Sequence, residues 1–492
     1  MIPDDVLRFR PGTCTEVKCV NGNWYVYMYE AAMLKSGKWG KKTGACIGKI
    51  IPGTSFVPNR NYHLYTGEKD RDDITLLEYG QYALIEAVGT DVMVALDESF
   101  DLETARQIFC YAAIFLANGF VHKDQVNSYF EQCWFSLEYR NYSFSMGKKA
   151  LNTLLDNLGR RATRVNEYQN NAIKMSERIA IDGHAIRSSS EENDLGEAGY
   201  KFPALNDDQV NLLMGYDVST MTPLFSRMFR GSCNDKTAVK DLFDILTFSG
   251  ILFTMDRGFY SEGNLKLFSA NGNTYIIPVP SNTSAFKTAL DDVKYTDEFC
   301  YTNGKKHARI EYRTVRISEE ENVYVFRDID ENSATIFNYR RCIDWGKSGY
   351  TEEKLAKQRE SFCVYVLRTN SKLTPKEIFC AYKGRWGIET FYHYMKNVAD
   401  FNDLKEQNYA REQGLAFIML ITGQLYARLN NAVKSLNDTT TSVADILQMA
   451  RCLKMDRKGN SWICRNKRNA DLQILEKIGF KPIDVYMEKT EA

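Results

Sequence analysis

The chain has 492 residues, enough for two to four domains and a large core, and its hydrophobic (44%) and aromatic (13%) content excludes extensive disorder. Basic and acidic residues number 63 each, so the net charge is zero and no overall basic excess indicates a nucleic-acid partner. Two local runs are basic: Gly37 to Lys49 contains no acid, and Arg451 to Arg468 contains seven basic residues and one acid. A solvent-exposed surface of the protein explains either basic run, so the two runs are compatible with DNA binding but do not demonstrate it.

Neither a secretory signal nor a membrane span is predicted. The N-terminal sequence MIPDDVLRFRPG lacks a charged segment followed by an apolar one. The most apolar run, Leu415 to Leu429, is shorter than a bilayer span and contains Gln424 and Arg428, which predicts a buried core helix. The 12 cysteines are scattered, without a CxxC pair or zinc-finger spacing, so we expect reduced thiols in a cytoplasm and no structural zinc.

The first third of the chain changes from a strand pattern to a helical one. Residues 1–70 are predicted to be β-rich, because Val17 to Tyr29 alternates and is aromatic, and KSGKWGKKTG has the composition of a turn-rich basic hairpin. Residues 71–175 are predicted to be helical. Apolar residues recur with helical spacing over Leu102 to Leu116, and a second helix is expected from Ser145 to Gly159.

An α/β segment is predicted at 176–262. The short apolar strand Arg178 to Ile186 is interrupted by Asp182, and the apolar strand Ile251 to Met255 runs into Asp256. Between these two, the pattern predicts two further strands and a helix capped by Asp235; the strands are Val210 to Tyr216 and Pro223 to Phe229.

The rest of the chain is predicted to be a strand-rich segment followed by helices. Residues 263–370 contain four strand-like runs separated by turn-forming residues. Helices are expected from Thr374 to the end, including one that begins at Ser442 with Asp445 in the capping-box position. The four strand-like runs are Thr274 to Pro278, His307 to Val315, Asn322 to Arg327 and Ser361 to Arg368.

One helix, predicted from Thr374 to Asn397, carries the residues with the most chemistry. It begins with Thr374 as N-cap, proline at the first helical position and Glu377 completing a capping box. At about 100° per residue, a stripe within about 60° of arc combines a phenol, a guanidinium, a carboxylate and an ammonium. These residues are Tyr382, Arg385, Glu389 and Lys396. A solvated stripe with an Arg385–Glu389 ion pair explains the spacing equally well.

The two upstream aspartates favour a chemical role for this stripe. Asp182 and Asp256 lie in or at the end of apolar runs, where an unpaired carboxylate is costly, although a lone aspartate at a strand end is commonly a cap or turn residue. If the fold brings both to Glu389, three carboxylates can bind two Mg²⁺ ions about 3.5–4 Å apart, as phosphodiester cleavage requires. Arg385 and Lys396 would then hold DNA phosphates beside the metals.

The spacing Tyr382-x2-Arg385-x3-Glu389-x6-Lys396 resembles, without a gap, the Y-R-E-K signature of bacterial insertion-sequence transposases with a DDE active site. A chance match is expected in roughly one chain in a few hundred of this length. Two further stretches agree: MDRGFYS, beginning at Met255, resembles the second-aspartate motif, and Ile181-Asp182-Gly183 lies where the first-aspartate strand belongs. Gly183-His184 departs from the small hydroxyl residues expected there, and we assign His184 a structural role. The resemblance covers about 100 to 450.

The resemblance implies an α/β fold with an RNase H-like, retroviral-integrase-like core, and a β-rich insertion domain between Asp256 and Glu389. It implies a cut-and-paste reaction, in which metal-dependent hydrolysis at the terminal inverted repeats is followed by attack of the freed 3′-hydroxyl. By position, Asp182, Asp256 and Glu389 would be the catalytic ligands of two Mg²⁺ ions, with Mn²⁺ as a substitute. The residues contacting DNA phosphates would be Tyr382, Arg385 and Lys396.

The partners implied are double-stranded DNA, as terminal inverted repeats and target, and a second copy of the chain in a homodimer on that DNA. The location implied is a bacterial cytoplasm, at the nucleoid when DNA is bound, and no membrane is involved. DNA-end recognition is assigned either to the helices of 71–175 or to the basic hairpin with Lys41 and Lys42. An aromatic residue of the insertion could stack a flipped base; the candidates are Tyr275, Phe299 and Tyr301.

Six regions are predicted: a β-rich basic domain, a helical domain, the first part of the core, the insertion domain, the second part of the core and a helical basic C-terminal region. Their bounds are 1–70, 71–175, 176–262, 263–370, 371–435 and 436–492. Three alternatives stay open: an RNase H-like nuclease without strand transfer, a domesticated non-catalytic DNA-binding protein, and a glycosidase with paired carboxylates. The intact carboxylate triad disfavours the second, and the cations on the stripe disfavour the third.

Overall fold

The computed structural model describes residues 2–12, 14–33, 39–59, 61–62, 74–188, 190, 192–199, 208–290, 294–303, 306–385, 392, 403–404, 406–436, 438 and 440–487. The chain divides into two compact units. The first comprises Met1–Leu76 with Arg457–Asn460, and the second comprises Leu77–Asp456 with Ser461–Ala492.

The first unit is built on an antiparallel sheet with the strand order β1-β2-β3-β4. Asn21 and Gly22 turn the chain between β1 and β2 with φ of 51° and 78°, so the alternating run Val17 to Tyr29 forms a hairpin rather than one strand. A small apolar core includes Val6 and Val26. The elements are α1 (Asp4–Leu7), β1 (Thr15–Val20), β2 (Asn23–Met33), β3 (Trp39–Ile51) and β4 (Ser55–Pro58).

Apart from Leu76, the first residue of one strand, and Arg457 and Lys458, the last two of another, the remaining strands and helices lie in the second unit. Its strands are β5 (Leu76–Glu78), β6 (Arg178–Ser188), β7 (Glu197–Ala198), β8 (Asp208–Asp217), β9 (Thr222–Arg230), β10 (Leu252–Met255), β11 (Thr274–Pro278), β12 (Asp297–Asn303), β13 (Lys306–Arg316), β14 (Asn322–Asp328), β15 (Val364–Thr369), β16 (Asp403–Leu404), β17 (Lys454–Lys458), β18 (Ser461–Arg465) and β19 (Val485–Met487). Its helices are α2 (Gly80–Val88), α3 (Thr90–Ser99), α4 (Leu102–Asn118), α5 (Lys123–Glu131), α6 (Phe135–Glu138), α7 (Lys148–Arg160), α8 (Ala162–Lys174), α9 (Asp235–Ile245), α10 (Glu262–Ser269), α11 (Ser284–Leu290), α12 (Ile329–Asp344), α13 (Glu352–Gln358), α14 (Pro375–Gly384), α15 (Tyr409–Lys434), α16 (Val443–Arg451) and α17 (Asn469–Lys477).

The centre of the second unit is a mixed sheet with the predicted RNase H-like arrangement. Strand β6 pairs antiparallel with β8, and β8 pairs antiparallel with β9. On its other side β6 pairs parallel with β10, which pairs parallel with β11. The order β9-β8-β6-β10-β11 therefore places the strand that carries Asp182 in the middle. The parallel strand β10 is buried along its whole length, as its continuous apolar run predicts.

The predicted insertion extends this sheet instead of forming a separate one. Beyond β11 the order continues through β15, β14, β13 and β12, all antiparallel. Thr274–Pro278, assigned to 263–370 from the sequence, is the core strand β11. The 16-residue helix α12 follows β14, although a strand pattern was expected throughout this segment.

Both faces of the sheet are covered. Helices α9 and α10 pack on one face through a cluster that includes Phe253 and Tyr275, and α14 packs on the other face against Leu252 and Ile276. Helix α15 contains the predicted apolar run Leu415 to Leu429, and this run is buried as expected. Among the helices of the described ranges, none is both long and apolar enough to cross a membrane.

Glycines allow α7 and α15 to approach each other backbone to backbone. A Cβ atom at Gly414 would lie 2.3 Å from the carbonyl oxygen of Leu155, and one at Gly159 would lie 1.9 Å from that of Ala410. Helix α7 begins at Lys148 rather than at Ser145, because the Ser145 hydroxyl accepts a hydrogen bond from the Gly147 N–H just before the helix.

The C-terminal region is not all helical, which corrects the expectation for 436–492. Helix α16 has the predicted capping box of Ser442 and Asp445. After it, β17, β18 and β19 belong to a small sheet with β5. Trp462 and Cys464 in β18 are buried on alternate positions, so the basic residues around them concealed a strand pattern.

Candidate active site

The register between β6 and β10 brings Asp182 and Asp256 together. Ile181 lies opposite Met255 in this parallel pair, so the next residue of each strand is an aspartate at the same end of the sheet. Neighbouring strands are about 4.8 Å apart, which places the two aspartates side by side. The pairing of β6 with β10, for which the sequence carries no signal, thus places the carboxylates of Asp182 and Asp256 next to each other.

The surroundings of Asp182 favour its protonated form. Burial raises the pKa of Asp182 to about 6, and the negative charges of Asp256 and Asp235 act in the same direction. The Arg385 guanidinium and a hydrogen bond from the Gly183 N–H to Oδ1, 2.9 Å long, lower the pKa in part. A carboxylate in this environment is stabilised by an additional positive charge.

Arg385 provides one positive charge beside these carboxylates. Its Nη2 lies 3.7 Å from Oδ1 of Asp256. Its side chain is only 7% exposed while that of Asp256 is 48% exposed, and its Nε has no hydrogen-bond partner among the described residues. Most of the guanidinium is therefore in contact with protein, and its positive charge partly compensates the negative charges of the aspartates.

Tyr382 lines the same cleft as the two aspartates. This cleft has a volume of about 870 Å³ and is bordered by Asp182, Asp256 and Tyr382 together with Pro278 and Val366 from the neighbouring strands. Burial raises the pKa of Tyr382, and the Arg385 guanidinium lies 5.9 Å from the centre of its ring. Three of the predicted site residues therefore share one concave surface.

Asp235 also lines this cleft, and the sequence interpretation missed its position. It was predicted to cap a helix; Asn234 is the N-cap, and Asp235 is the first residue of α9. A Cβ atom at Gly183 would lie 2.6 Å from its Oδ1, and one at Gly258 would lie 3.6 Å from its Oδ2. An acidic residue in the first turn of a helix is so common that only the fold shows its proximity to the aspartates.

The helix predicted from Thr374 to Asn397 is described as far as Gly384, with both hydrogen bonds of the predicted capping box. Gly384 permits a close approach, since a Cβ atom there would lie 3.1 Å from Cγ1 of Val218. Glu389 and Lys396 lie outside the described residues. Tyr392, which follows Glu389 by three positions, is described and donates a hydrogen bond of 2.8 Å to the carbonyl oxygen of Asp182.

Comparison with known proteins identifies the class to which this site belongs. A family model described as a transposase DDE domain matches residues 174–422, just over half of the chain. The chain belongs to the DDE transposase family. The matched range encloses Asp182, Asp256 and Glu389. A DDE transposase cleaves and joins DNA, and enzymes of this family generally use divalent metal ions.

Other comparisons add little to the identification of the transposase. A solved structure described as a cryo-EM structure of piggyBac transposase synaptic complex with hairpin DNA is similar over 75% of this chain and 78% of that chain, with 11% identity and a TM-score of 0.39. That similarity is too low to support an argument. No curated protein matches the sequence.

Several other predicted residues of the transposase are now placed. Lys41 and Lys42 are exposed on β3 in the first unit, and Nζ of Lys41 lies 4.3 Å from the centre of the Tyr29 ring. Tyr275 is fully buried and donates a hydrogen bond of 2.6 Å to Glu321, so it was wrongly included among the residues available to stack a base.

Of the remaining aromatic candidates and His184, only His184 is buried, while Phe299 and Tyr301 are partly buried. Phe299 and Tyr301 pack against the Phe379 ring, with centroids 5.8 and 5.2 Å away. His184 is buried and stacked on Tyr392, which agrees with the structural role assigned to it.

Proposed function

We propose that this transposase excises and inserts its element by cut-and-paste, through hydrolysis and strand transfer at terminal inverted repeats. The observation that carries the proposal is the parallel register that sets Asp182 beside Asp256 at the edge of an 870 Å³ cleft. The paired carboxylates in this cleft suit phosphodiester chemistry better than a binding role alone.

The residues present fit divalent metal ions. The donors that meet in the cleft are carboxylate oxygens, which Mg²⁺ prefers as ligands. Burial is the main cause of the raised pKa of Asp182, and repulsion between the carboxylates raises it further. Within the described ranges no three acidic, histidine or cysteine side chains are close enough to hold a metal ion, so Asp235 does not complete a ligand set there. We assign the third carboxylate to Glu389.

In this assignment Asp182, Asp256 and Glu389 hold two Mg²⁺ ions, for which Mn²⁺ can substitute. When bound, the ions supply Lewis-acid activation of the attacking oxygen and stabilisation of the leaving one. Arg385, close to Asp256, limits repulsion between the carboxylates before metal and DNA arrive. Because Arg385 is buried, we assign it to reducing this repulsion rather than to the bidentate phosphate contact expected from the sequence.

The assignment to a particular class of transposase rests on the helical stripe that contains Tyr382, Arg385, Glu389 and Lys396. Its spacing supports a bacterial insertion-sequence transposase of the Y-R-E-K class, acting on double-stranded DNA at the nucleoid in the cytoplasm. Tyr382 at the cleft and Lys396 would contact phosphates of the transposon end. Since two ends must be joined, we assign a homodimer to the DNA complex.

The direct test is an assay of cleavage and joining on the element's own ends. The unmodified protein should produce nicked ends and joined products in Mg²⁺ and none in EDTA, and Glu389→Gln should bind the ends without cleaving them. Cleavage without joined products would instead identify a nuclease. Full activity of Glu389→Gln would remove the third ligand assignment.

A second test concerns the basic hairpin. The exposed Lys41 and Lys42 provide positive charge for DNA phosphates, and phosphate contacts of this kind are strongly salt-dependent. Replacing both with glutamate should abolish end-specific binding at fixed salt. The exposed pair Lys148 and Lys149 at the start of α7, replaced in the same way, tests the helical region as the alternative reader of the ends. Unchanged binding by the first variant would exclude the hairpin.

A further inference from the structure

Tyr392 joins the segment after Glu389 to the strand that carries Asp182. Its side chain is 7% exposed, and its hydroxyl donates to the carbonyl oxygen of Asp182 at 2.8 Å. Its ring stacks on His184 with centroids 5.1 Å apart and an angle of 29°, and it meets the ring of Tyr216 edge-on at 6.4 Å. The tyrosine is therefore anchored both by its ring and by its hydroxyl.

The hydroxyl contact reaches the Asp182 carboxylate through one peptide group. The carbonyl that accepts from Tyr392 belongs to the peptide between Asp182 and Gly183. The N–H of that same peptide donates to Oδ1 of Asp182 at 2.9 Å. Hydrogen bonds at the two ends of one peptide polarise it and strengthen each other. A change at the Tyr392 hydroxyl is thus transmitted to the orientation of the carboxylate.

We propose that Tyr392 is a positioning residue of the active site, which orients the Asp182 carboxylate through the 182–183 peptide for metal binding. The inference rests on the proposed function, because it takes Asp182 and Glu389 as metal ligands. It is distinct from a packing role, which the ring alone would perform. Partners that orient metal ligands typically contribute about 10- to 100-fold to metal affinity or activity.

The test is a titration of the full-length protein with Mn²⁺, followed by electron paramagnetic resonance, so that metal binding is measured apart from activity. Tyr392→Phe keeps the ring and removes the hydroxyl, and its Kd for Mn²⁺ should rise by roughly tenfold. Replacing Tyr392 with 4-aminophenylalanine keeps a donor at the same ring position and should restore the Kd to within about threefold of the unmodified protein.

Tyr168→Phe is the matched control. Tyr168 is also buried, and its hydroxyl donates to Oε1 of Gln424 at 2.5 Å, away from the cleft residues. Both variants lose one buried hydroxyl hydrogen bond, but only Tyr392→Phe should weaken Mn²⁺ binding. Titrations are run below the melting transition of each variant. An unchanged Kd for Tyr392→Phe, or an equal rise for Tyr168→Phe, would overturn the proposal.

Asp182→Asn and Glu389→Gln separate this inference from the proposed function. If both abolish tight Mn²⁺ binding while Tyr392→Phe leaves it unchanged, the metal site stands and the positioning role is wrong. If neither affects Mn²⁺ binding, the ligand assignment fails, and the positioning role fails with it.

Discussion

Substituting alanine for Gly183 tests the arrangement of the active site more finely than removing a carboxylate does. The new Cβ atom would lie 2.6 Å from Oδ1 of Asp235, about 0.8 Å inside the 3.4 Å at which ordinary van der Waals contact begins. Either Asp235 or the 182–183 peptide must move by a similar amount. The contacted atom is the tip of the Asp235 side chain, which can turn away at little cost, so only part of the shift reaches the 182–183 peptide. Because a misplacement near 1 Å at a catalytic group can reduce the rate about 100-fold, we expect this partial shift to slow DNA cleavage by about tenfold.

Gly258→Ala is the matched control, since Gly258 faces the same carboxylate from the 3-10 turn that follows β10. Its Cβ atom would lie 3.6 Å from Oδ2 of Asp235, which is ordinary contact, so cleavage should stay within about threefold of the unmodified rate. Single-turnover cleavage of a labelled transposon end in saturating Mg²⁺ measures both variants, with thermal melts to confirm that each is folded. The proposed geometry is refuted if Gly183→Ala cleaves normally, or if the two alanines are equally harmful.

Three further predictions concern stability. Gly414→Ala should lower the free energy of unfolding by about 1–3 kcal/mol in urea titrations, because its Cβ atom would lie 2.3 Å from the α7 backbone. Gly263→Ala is the control and should be neutral or stabilising, because its Cβ atom would lie 4.0 Å from the nearest atom. Equal effects of the two substitutions would contradict the close contact between the helices. Burial raises the pKa of Glu412 to about 8 from a usual 4.5, so the folded state binds the extra proton and stability should fall by a few kcal/mol as pH rises from about 4.5 to 8. Glu412→Gln should flatten that pH dependence, and an unchanged slope would disprove the assignment. Thr374→Ala removes half of a capping box and should cost α14 about 1 kcal/mol, seen as faster amide exchange in its first turn; unaltered exchange would count against the cap.

Local patterns were sufficient to predict the elements that carry the chemistry. The apolar runs around Asp182 and before Asp256 are strands in the structure, and the cap at Thr374 begins the predicted helix. These features are set by neighbouring residues, because burial on both faces requires a continuous apolar run and a threonine side chain that accepts from the first turn favours a helix start.

Features that depend on distant parts of the chain were not predictable in this way. The register of Ile181 with Met255 joins strands more than 70 positions apart, and no local pattern encodes it. Asp235 has the sequence environment of any acid in a first helical turn, and its place beside Gly183 appears only when α9 packs on the sheet. The strand β18 was hidden because it lies within a run of basic residues, and its alternation of buried Trp462 and Cys464 covers only five positions.

The measurement that tests the central claim most directly compares Asp256→Asn with the unmodified transposase on the element's own ends in Mg²⁺. Asp256 is nearly half exposed and directly follows β10, so replacing one carboxylate oxygen with an NH2 group should leave the fold and DNA-end binding intact. The variant should bind the ends with unchanged affinity and show no detectable cleavage or joining. Cleavage by Asp256→Asn at a rate near that of the unmodified protein would contradict a metal-dependent active site built on Asp182 and Asp256.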